Sequence, residues 1–406
     1  MNRLGRQVSS RIWLARSVLI AGLLAVGWIA VSRGLASALR EAQPEAAVAL
    51  APSDTAALGA IASRMILGAK SAGNRQEAVD IARHIIERDP TSVAAIDTLA
   101  IDAEARGDLN REAGLFAYAQ RLSRRDLGTQ MYFIERAVAH GDVKSALRHY
   151  DIALRTSPEA QAIMFPVLQG TLVDPSLRME LAKLLATKPS WGPAFLATVA
   201  TTGNDFTATL ALLSDLRRIG APPSPDVESS TLANLVSTHP DLAWRYYVST
   251  HRGLNDTQPV NGGFDRANVD GSPFDWQLTA DNGVQTVLER LAGRGVLSFS
   301  VPATAAGIVA RQMRVLPPGT YRLETMAVNV AQPKESQPYW QIICADGRPL
   351  GSVQIGSSPE RGRRFMGMFS VPGDCKTQWL QLVARPTDAL SGVTGSIDWV
   401  SLARLK

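Results

Sequence analysis

Gly73, Gly107 and Gly141 recur every 34 residues, from 73 to 107 and from 107 to 141. A period of 34 belongs to a helix–turn–helix unit that cannot bury its apolar face alone and so stacks on copies of itself. A small polar residue follows each glycine (Asn74, Asp108, Asp142), as a tight turn between antiparallel helices requires. After Gly141 come Ala146, Tyr150, Ala153 and Pro158, a spacing of small residue, aromatic, second small residue and helix-ending proline. Ala78 and Pro90 follow Gly73 in the same register. The middle copy departs from it, with Glu112 where the small residue belongs and Ala113 one step late. Helix pairs are therefore predicted through residue 156, with the three glycines at the turns.

Over roughly residues 55–160 this pattern resembles the tetratricopeptide-repeat (TPR) family. The resemblance implies an α-helical solenoid whose groove binds a protein partner and which has no active site of its own. First helices of the repeats would line that groove, with Asp97, Asp102, Tyr132 and Glu135 as candidates. Helical pattern continues from about 158 to 253 without the 34-residue register. Gly203-Asn204-Asp205 reads as a degenerate turn, and a last helix pair near 227–237 and 240–250 would cap the array.

The N-terminus has a different grammar. Arg3, Arg6, Arg11 and Arg16 stand among residues 1–16 without an acid, and the uncharged, mostly apolar stretch 17–32 follows. With Leu35 to Leu39 extending the apolar run, residues 17–39 are long enough for a membrane-spanning helix. A cleaved signal peptide, with Ala36-Ser37-Ala38 as its processing site, and a buried soluble helix are the competing readings. Either membrane reading leaves a basic tail (1–16) in the cytoplasm and exports everything after residue 40. Residues 40–54, with Pro44 and Pro52, read as a linker, and Ser53-Asp54 as the cap of the first repeat helix. The net charge of +5 comes from dispersed arginines and gives no extended basic face for nucleic acid.

Near residue 255 helical periodicity stops. Leu297, Phe299 and Val301 alternate with serines, and turn signals such as Pro318-Gly319, Asp346-Gly347 and Pro372-Gly373 recur between short strands. Six to nine such strands predict an antiparallel β-sandwich over 259–406, separate from a helical domain over 55–253. The fold class expected is thus multi-domain: a transmembrane helix, an all-α solenoid and a C-terminal sandwich.

Cys344 and Cys375 are the only cysteines, and both fall in the sandwich. In an exported domain a disulfide between them is expected, the alternative being two buried thiols. His84, His140, His149, His239 and His251 lie in the helical part without metal-ligand spacing. No nucleophile elbow, zinc-protease motif or phosphate-cradling loop occurs, so the chain reads as a non-enzyme.

Asn261-Gly-Gly-Phe-Asp265, Pro273-Phe-Asp-Trp276, Pro318-Gly-Thr-Tyr-Arg-Leu323 and Ser396-Ile-Asp-Trp-Val-Ser-Leu402 together resemble the jelly-roll modules related to carbohydrate-binding modules and galactose-binding-like domains. That resemblance implies glycan contact through exposed aromatics, for which Tyr339, Trp340 and Trp379 are the candidates. Tyr339 and Trp340 are adjacent on a strand, so they face opposite sides. Trp276 and Trp399 fall in frame motifs and read as core. It also implies a structural calcium between the first and last strands, at Asp265 and Asp398, although Trp399 stands where a second acid is usual. No other cofactor is expected.

Together these readings describe a single-pass bacterial inner-membrane protein with its bulk in the periplasm. It would be a scaffold in surface-polysaccharide or exopolysaccharide assembly or export, with a protein in the helical groove and a glycan on the sandwich. The rival readings are a purely protein–protein envelope scaffold and a glycan-active enzyme.

Overall fold

The computed structural model describes residues 4–40, 42–69, 71–203, 205–251, 253–255, 257–267, 271–291, 293–388 and 392–405. Arg3 and Asn204 lie outside the described residues, as do the side chains of Arg6, Arg11 and Arg16. The chain divides into two compact units, residues 1–164 and 165–406. This division differs from the boundary near 255 that the change of secondary structure suggests.

The first unit opens with α1 (Leu4–Leu39), 36 residues without a charged residue in its last turn. Its stretch Gly22–Leu39 has a mean hydropathy of 1.5 and is long and apolar enough to cross a membrane. Leu23, Leu24, Val26 and Trp28 are exposed along it. The end of α1 is tied down: Ala36 is buried against Ala47 of α2 (Pro44–Leu50) and Ala57 of α3 (Thr55–Leu67). Part of the expected linker is therefore helical.

Antiparallel pairs follow: α3 with α4 (Ala72–Arg88), α5 (Val93–Ala105) with α6 (Leu109–Leu122), and α7 (Leu127–Ala139) with α8 (Val143–Thr156). Aspartates start most of these helices, with Asp54, Asp108, Asp126 and Asp142 each accepting a first-turn N–H. Gly107 and Gly141 adopt the left-handed conformation at the turns, with φ of 76° and 69°. Gly73 does not share that role. It sits inside the first turn of α4, because α3 ends early at Leu67 and Ser71 supplies the cap. The 34-residue spacing thus holds from α4 to α8, with α4, α6 and α8 ending at Arg88, Leu122 and Thr156 and α5 and α7 beginning at Val93 and Leu127, and fails for α3.

Ala78, Ala146 and Ala153 are buried as their spacing requires, while Tyr150 is half-buried and Pro90 and Pro158 are exposed just past helix ends. Glu112, at the same periodic position as Ala78 and Ala146, is buried too. Three of the four expected groove residues are buried between helices. Asp97 accepts a hydrogen bond from the Thr129 hydroxyl, Asp102 pairs with Arg106, and Tyr132 stacks on Phe116; only Glu135 is exposed. His149 is likewise internal, bonded through Nδ1 to Gln130 and stacked on Phe133.

After α9 (Ala160–Gly170), the second unit holds α10 (Pro175–Ala186), α11 (Gly192–Thr202), α12 (Phe206–Arg218), α13 (Pro225–Thr238) and α14 (Pro240–Thr250). Here α10 packs on α12 and α11 on α13, an alternation that explains why the 34-residue register is lost. After α14 come, among the described residues, ten strands: β1 (Gln277–Leu278), β2 (Gln285–Leu291), β3 (Arg294–Val301), β4 (Gly307–Arg314), β5 (Gly319–Val328), β6 (Tyr339–Cys344), β7 (Pro349–Gln354), β8 (Arg363–Val371), β9 (Gln378–Ala384) and β10 (Val393–Arg404). They form two five-stranded antiparallel sheets, ordered β1-β4-β9-β6-β7 and β2-β3-β10-β5-β8. Side chains alternate, so Leu297, Leu323, Trp340, Ile342, Leu380, Leu382, Ile397 and Leu402 fill one core between the sheets. Cys344 and Cys375 are joined as a disulfide that ties the end of β6 to the β8–β9 connection.

The helices and the sandwich share a second core. Trp244 and Tyr247 of α14 pack on Phe274 from the segment before β1, and the same cluster includes Leu213, Leu232, Val260 and Met313. Gln312 grips the backbone of Val260 at both ends, its Oε1 accepting the N–H and its Nε2 donating to the carbonyl, and Gln258 does the same for Leu402. Those ties make α10 to α14 part of the compact body that contains the sandwich.

Candidate functional site

Inward alternation on one side of a sheet sets the outward residues on the other. In the sheet β1-β4-β9-β6-β7, Trp340, Ile342, Leu380 and Leu382 point into the core, which puts Tyr339, Gln341, Ile343, Trp379, Gln381 and Val383 on the outer face. Cross-strand register then aligns one polar row over all five strands. Gln277 pairs with Arg311, Arg311 with Gln381, Gln381 with Gln341, and Gln341 with Ser352. Beside it run Val383, Tyr339 and Gln354 on one side, and Met313, Trp379 and Ile343 on the other.

Arginines complete the face. The Arg311 guanidinium lies 4.5 Å from the ring centre of Trp379, and its Nε donates to Gln277 Oε1 at 2.7 Å. Arg385, just past the end of β9, lies 4.6 Å from the ring centre of Tyr339. Gln381 is 5 % exposed. Its amide, the Gln341 amide, the Tyr339 hydroxyl and the Trp379 indole N–H make no hydrogen bond among the described residues. Four polar groups on one face of a folded sheet, none used internally, are available to a ligand. At the β1 end the face runs into a groove of about 900 Å³ lined by Gln277, Thr279, Asp281, Asn282, Thr304 and Arg311.

Of the three aromatics expected to meet a ligand, Tyr339 and Trp379 lie on this face, half-buried. Trp340 does not: it is fully buried, in contact with Trp276, with its indole N–H donating to the Thr325 hydroxyl. Trp276 is core as expected, but Trp399 is not. A bulge between Ile397 and Trp399 shifts the alternation, so Ile397 and Val400 face inward while Trp399 stands half-exposed on the other sheet, under Arg364.

Asp265 and Asp398 meet neighbouring residues of β3. Asp265 accepts the Gly295 backbone N–H at 3.2 Å, and Asp398 is paired with the Arg294 guanidinium at 3.1 Å. A protein cation thus sits on the carboxylate that the calcium expectation needs. Among the described residues no group of three or more His, Cys, Asp or Glu side chains could hold a metal. The donor set does not fit calcium. Nothing in the sequence marks the glutamine row, since its members become neighbours only through strand pairing.

No protein-family model matches the chain, and no curated protein matches it in sequence. Solved structures resembling its C-terminal region include a family-61 carbohydrate-binding module in complex with β-1,4-galactotriose, with 16% identity over 36% of this chain and 96% of that one, at a TM-score of 0.27. A family-4 carbohydrate-binding module gives 15% identity, 36% and 99% coverage and a TM-score of 0.29. The xylan-binding domain from Paenibacillus barcinonensis gives 15% identity, 36% and 92% coverage and a TM-score of 0.26. At such values the sandwich rests on its own strand pairing.

Proposed function

We propose that the sandwich binds a glycan across the β1-β4-β9-β6-β7 face. The observation that carries this reading is the set of unpartnered polar groups (Gln341, Gln381, the Tyr339 hydroxyl and the Trp379 indole N–H) beside two aromatic rings. Sugars offer both apolar faces and hydroxyls, and this surface offers a partner for each. In this reading the chain is a membrane-associated binding protein without catalysis, held by α1 and acting in surface-polysaccharide assembly or export. The helix pairs of the first unit would carry the protein contact. Leu67, Leu109 and Val138, apolar and exposed at three successive helix turns, favour that assignment.

Calorimetric titration of the full chain in detergent micelles with a panel of neutral and acidic oligosaccharides tests the glycan site. Saturable binding that weakens about tenfold or more in Tyr339→Ala and Gln381→Ala, with melting temperature kept, is the expected result. Binding unaffected by either change would place the glycan elsewhere, and no binding to any glycan would leave the sandwich as a protein-contact module.

A further inference from the structure

The charged groups of this face are of one sign. Across the three rows on the sheet the charged side chain is Arg311, and Arg385 stands at the end of β9 beside Tyr339. No carboxylate lies in those rows, and Asp281, in the connection between β1 and β2, is the sole carboxylate lining the adjoining groove. Four other arginines of the sandwich do sit on acids: Arg294 on Asp398, Arg322 and Arg364 on Glu324, and Arg348 on Asp346 and Asp374. Arg311 and Arg385 have no acidic partner among the described residues.

Both are also held in a defined pose. A guanidinium held over an aromatic ring has less rotamer freedom to lose on binding. Arg311 spends Nε on Gln277, which leaves its terminal nitrogens for a ligand. Arg385 makes no hydrogen bond among the described residues, so its whole fork is available. Planar, pre-oriented forks match carboxylates, which accept two parallel N–H bonds. From Tyr339 to Ile343, the partner of Trp379, is four residues of strand, so the two arginine–aromatic pairs are about 14 Å apart. Charges at that spacing suit a ligand that bears acids repeatedly along its length.

We infer that the glycan taken by this face is acidic, a polysaccharide whose sugars carry carboxylates. The inference rests on the face being a glycan site. Arg385 and Arg311 bind separate carboxylates along one chain, and the glutamine row between them binds hydroxyls.

The full chain in detergent micelles is titrated with oligo-uronates (alginate octamers), with neutral cello-oligosaccharides of similar length, and with dextran sulfate. Oligo-uronate binding is expected to exceed neutral binding at least tenfold, to fall as salt rises, and to weaken about tenfold in Arg385→Met and in Arg311→Met. Methionine preserves the apolar cover over each ring, and Arg385→Met breaks no internal hydrogen bond, so it remains informative if Arg311→Met unfolds. Equal or tighter binding of the neutral oligosaccharide, or oligo-uronate binding unchanged in Arg385→Met, overturns the acidic assignment while leaving the glycan site standing. Dextran sulfate binding as tightly as oligo-uronate would reduce the face to a general polyanion patch and also overturns it. No binding of any saccharide removes both this inference and the site.

Discussion

The hydroxyl of Tyr247 donates to Asp275 Oδ1 at 2.6 Å, joining the last helix to the segment that leads into the sandwich. Both residues are buried, and Asp275 also accepts the Ser272 N–H. Tyr247→Phe leaves the ring packing intact and removes one donor from a buried carboxylate. A loss of about 1–3 kcal/mol is expected, read as a lower denaturant midpoint for the second unit. No change in midpoint would mean that the contact with Phe274 alone holds α14 in place.

Glu112 occupies a periodic position that Ala78 and Ala146 fill in the neighbouring repeats. Its Oε2 has no hydrogen-bond partner among the described residues. Burial raises its carboxyl above the usual range, with Glu104 adding to the shift. Glu112→Ala restores the small residue and removes the desolvated acid, so it should stabilise by about 1 kcal/mol. Thermal melting of the two full-length proteins decides it, and a destabilised variant would show that the Glu112 stem packs more usefully than its carboxylate costs.

Asp97 titrates from an altered position. Burial first, then the neighbouring Asp126 carboxylate, lifts its carboxyl to about 9, against the Thr129 hydrogen bond that lowers it. In the unfolded chain it ionises near pH 4. Between those values the folded state holds a proton that the unfolded state has released, so stability is greatest below pH 4 from this group and declines toward pH 9. Asp97→Asn keeps an acceptor for Thr129 and abolishes the titration. It should flatten the decline and melt higher than the native chain at pH 8, a comparison for circular dichroism across pH 5–9.

Reduction tests the Cys344–Cys375 bridge, which spans 31 residues of sequence. Cutting a loop of that size costs about 3–4 kcal/mol by chain entropy. Reduced protein, or the Cys344→Ala/Cys375→Ala pair, should show a lowered transition for the second unit and an unchanged one for the first. Equal losses in both would point to a global effect of the reductant.

Much of this architecture can be read from the sequence because it is periodic. The 34-residue spacing locates α4 to α8, and apolar alternation locates the strands. What periodicity cannot resolve is sidedness. Tyr339 and Trp340 are equally aromatic, and only the register of β6 against β9 sends Trp340 inward. Trp399 looks like core until a bulge, which has no sequence mark here, turns it out. Gln277, Arg311, Gln381 and Gln341 are ordinary surface residues far apart in the chain, and nothing local marks them as a row. The same limit hides the shared core. Trp244 and Met313 are separated by a change of secondary structure, which invites a boundary where packing instead makes a joint.

That joint has a mechanical consequence. Trp379 lies on the proposed glycan face and also packs against the cluster built on Trp244, Tyr247 and Phe274. Tension along a captured polymer would therefore pass from β9 directly into α14 through touching side chains, bypassing the chain segment that connects them. A tether built on a flexible hinge swings toward its load. Here the sheet is braced, so a pull on it would be borne by the helices as well.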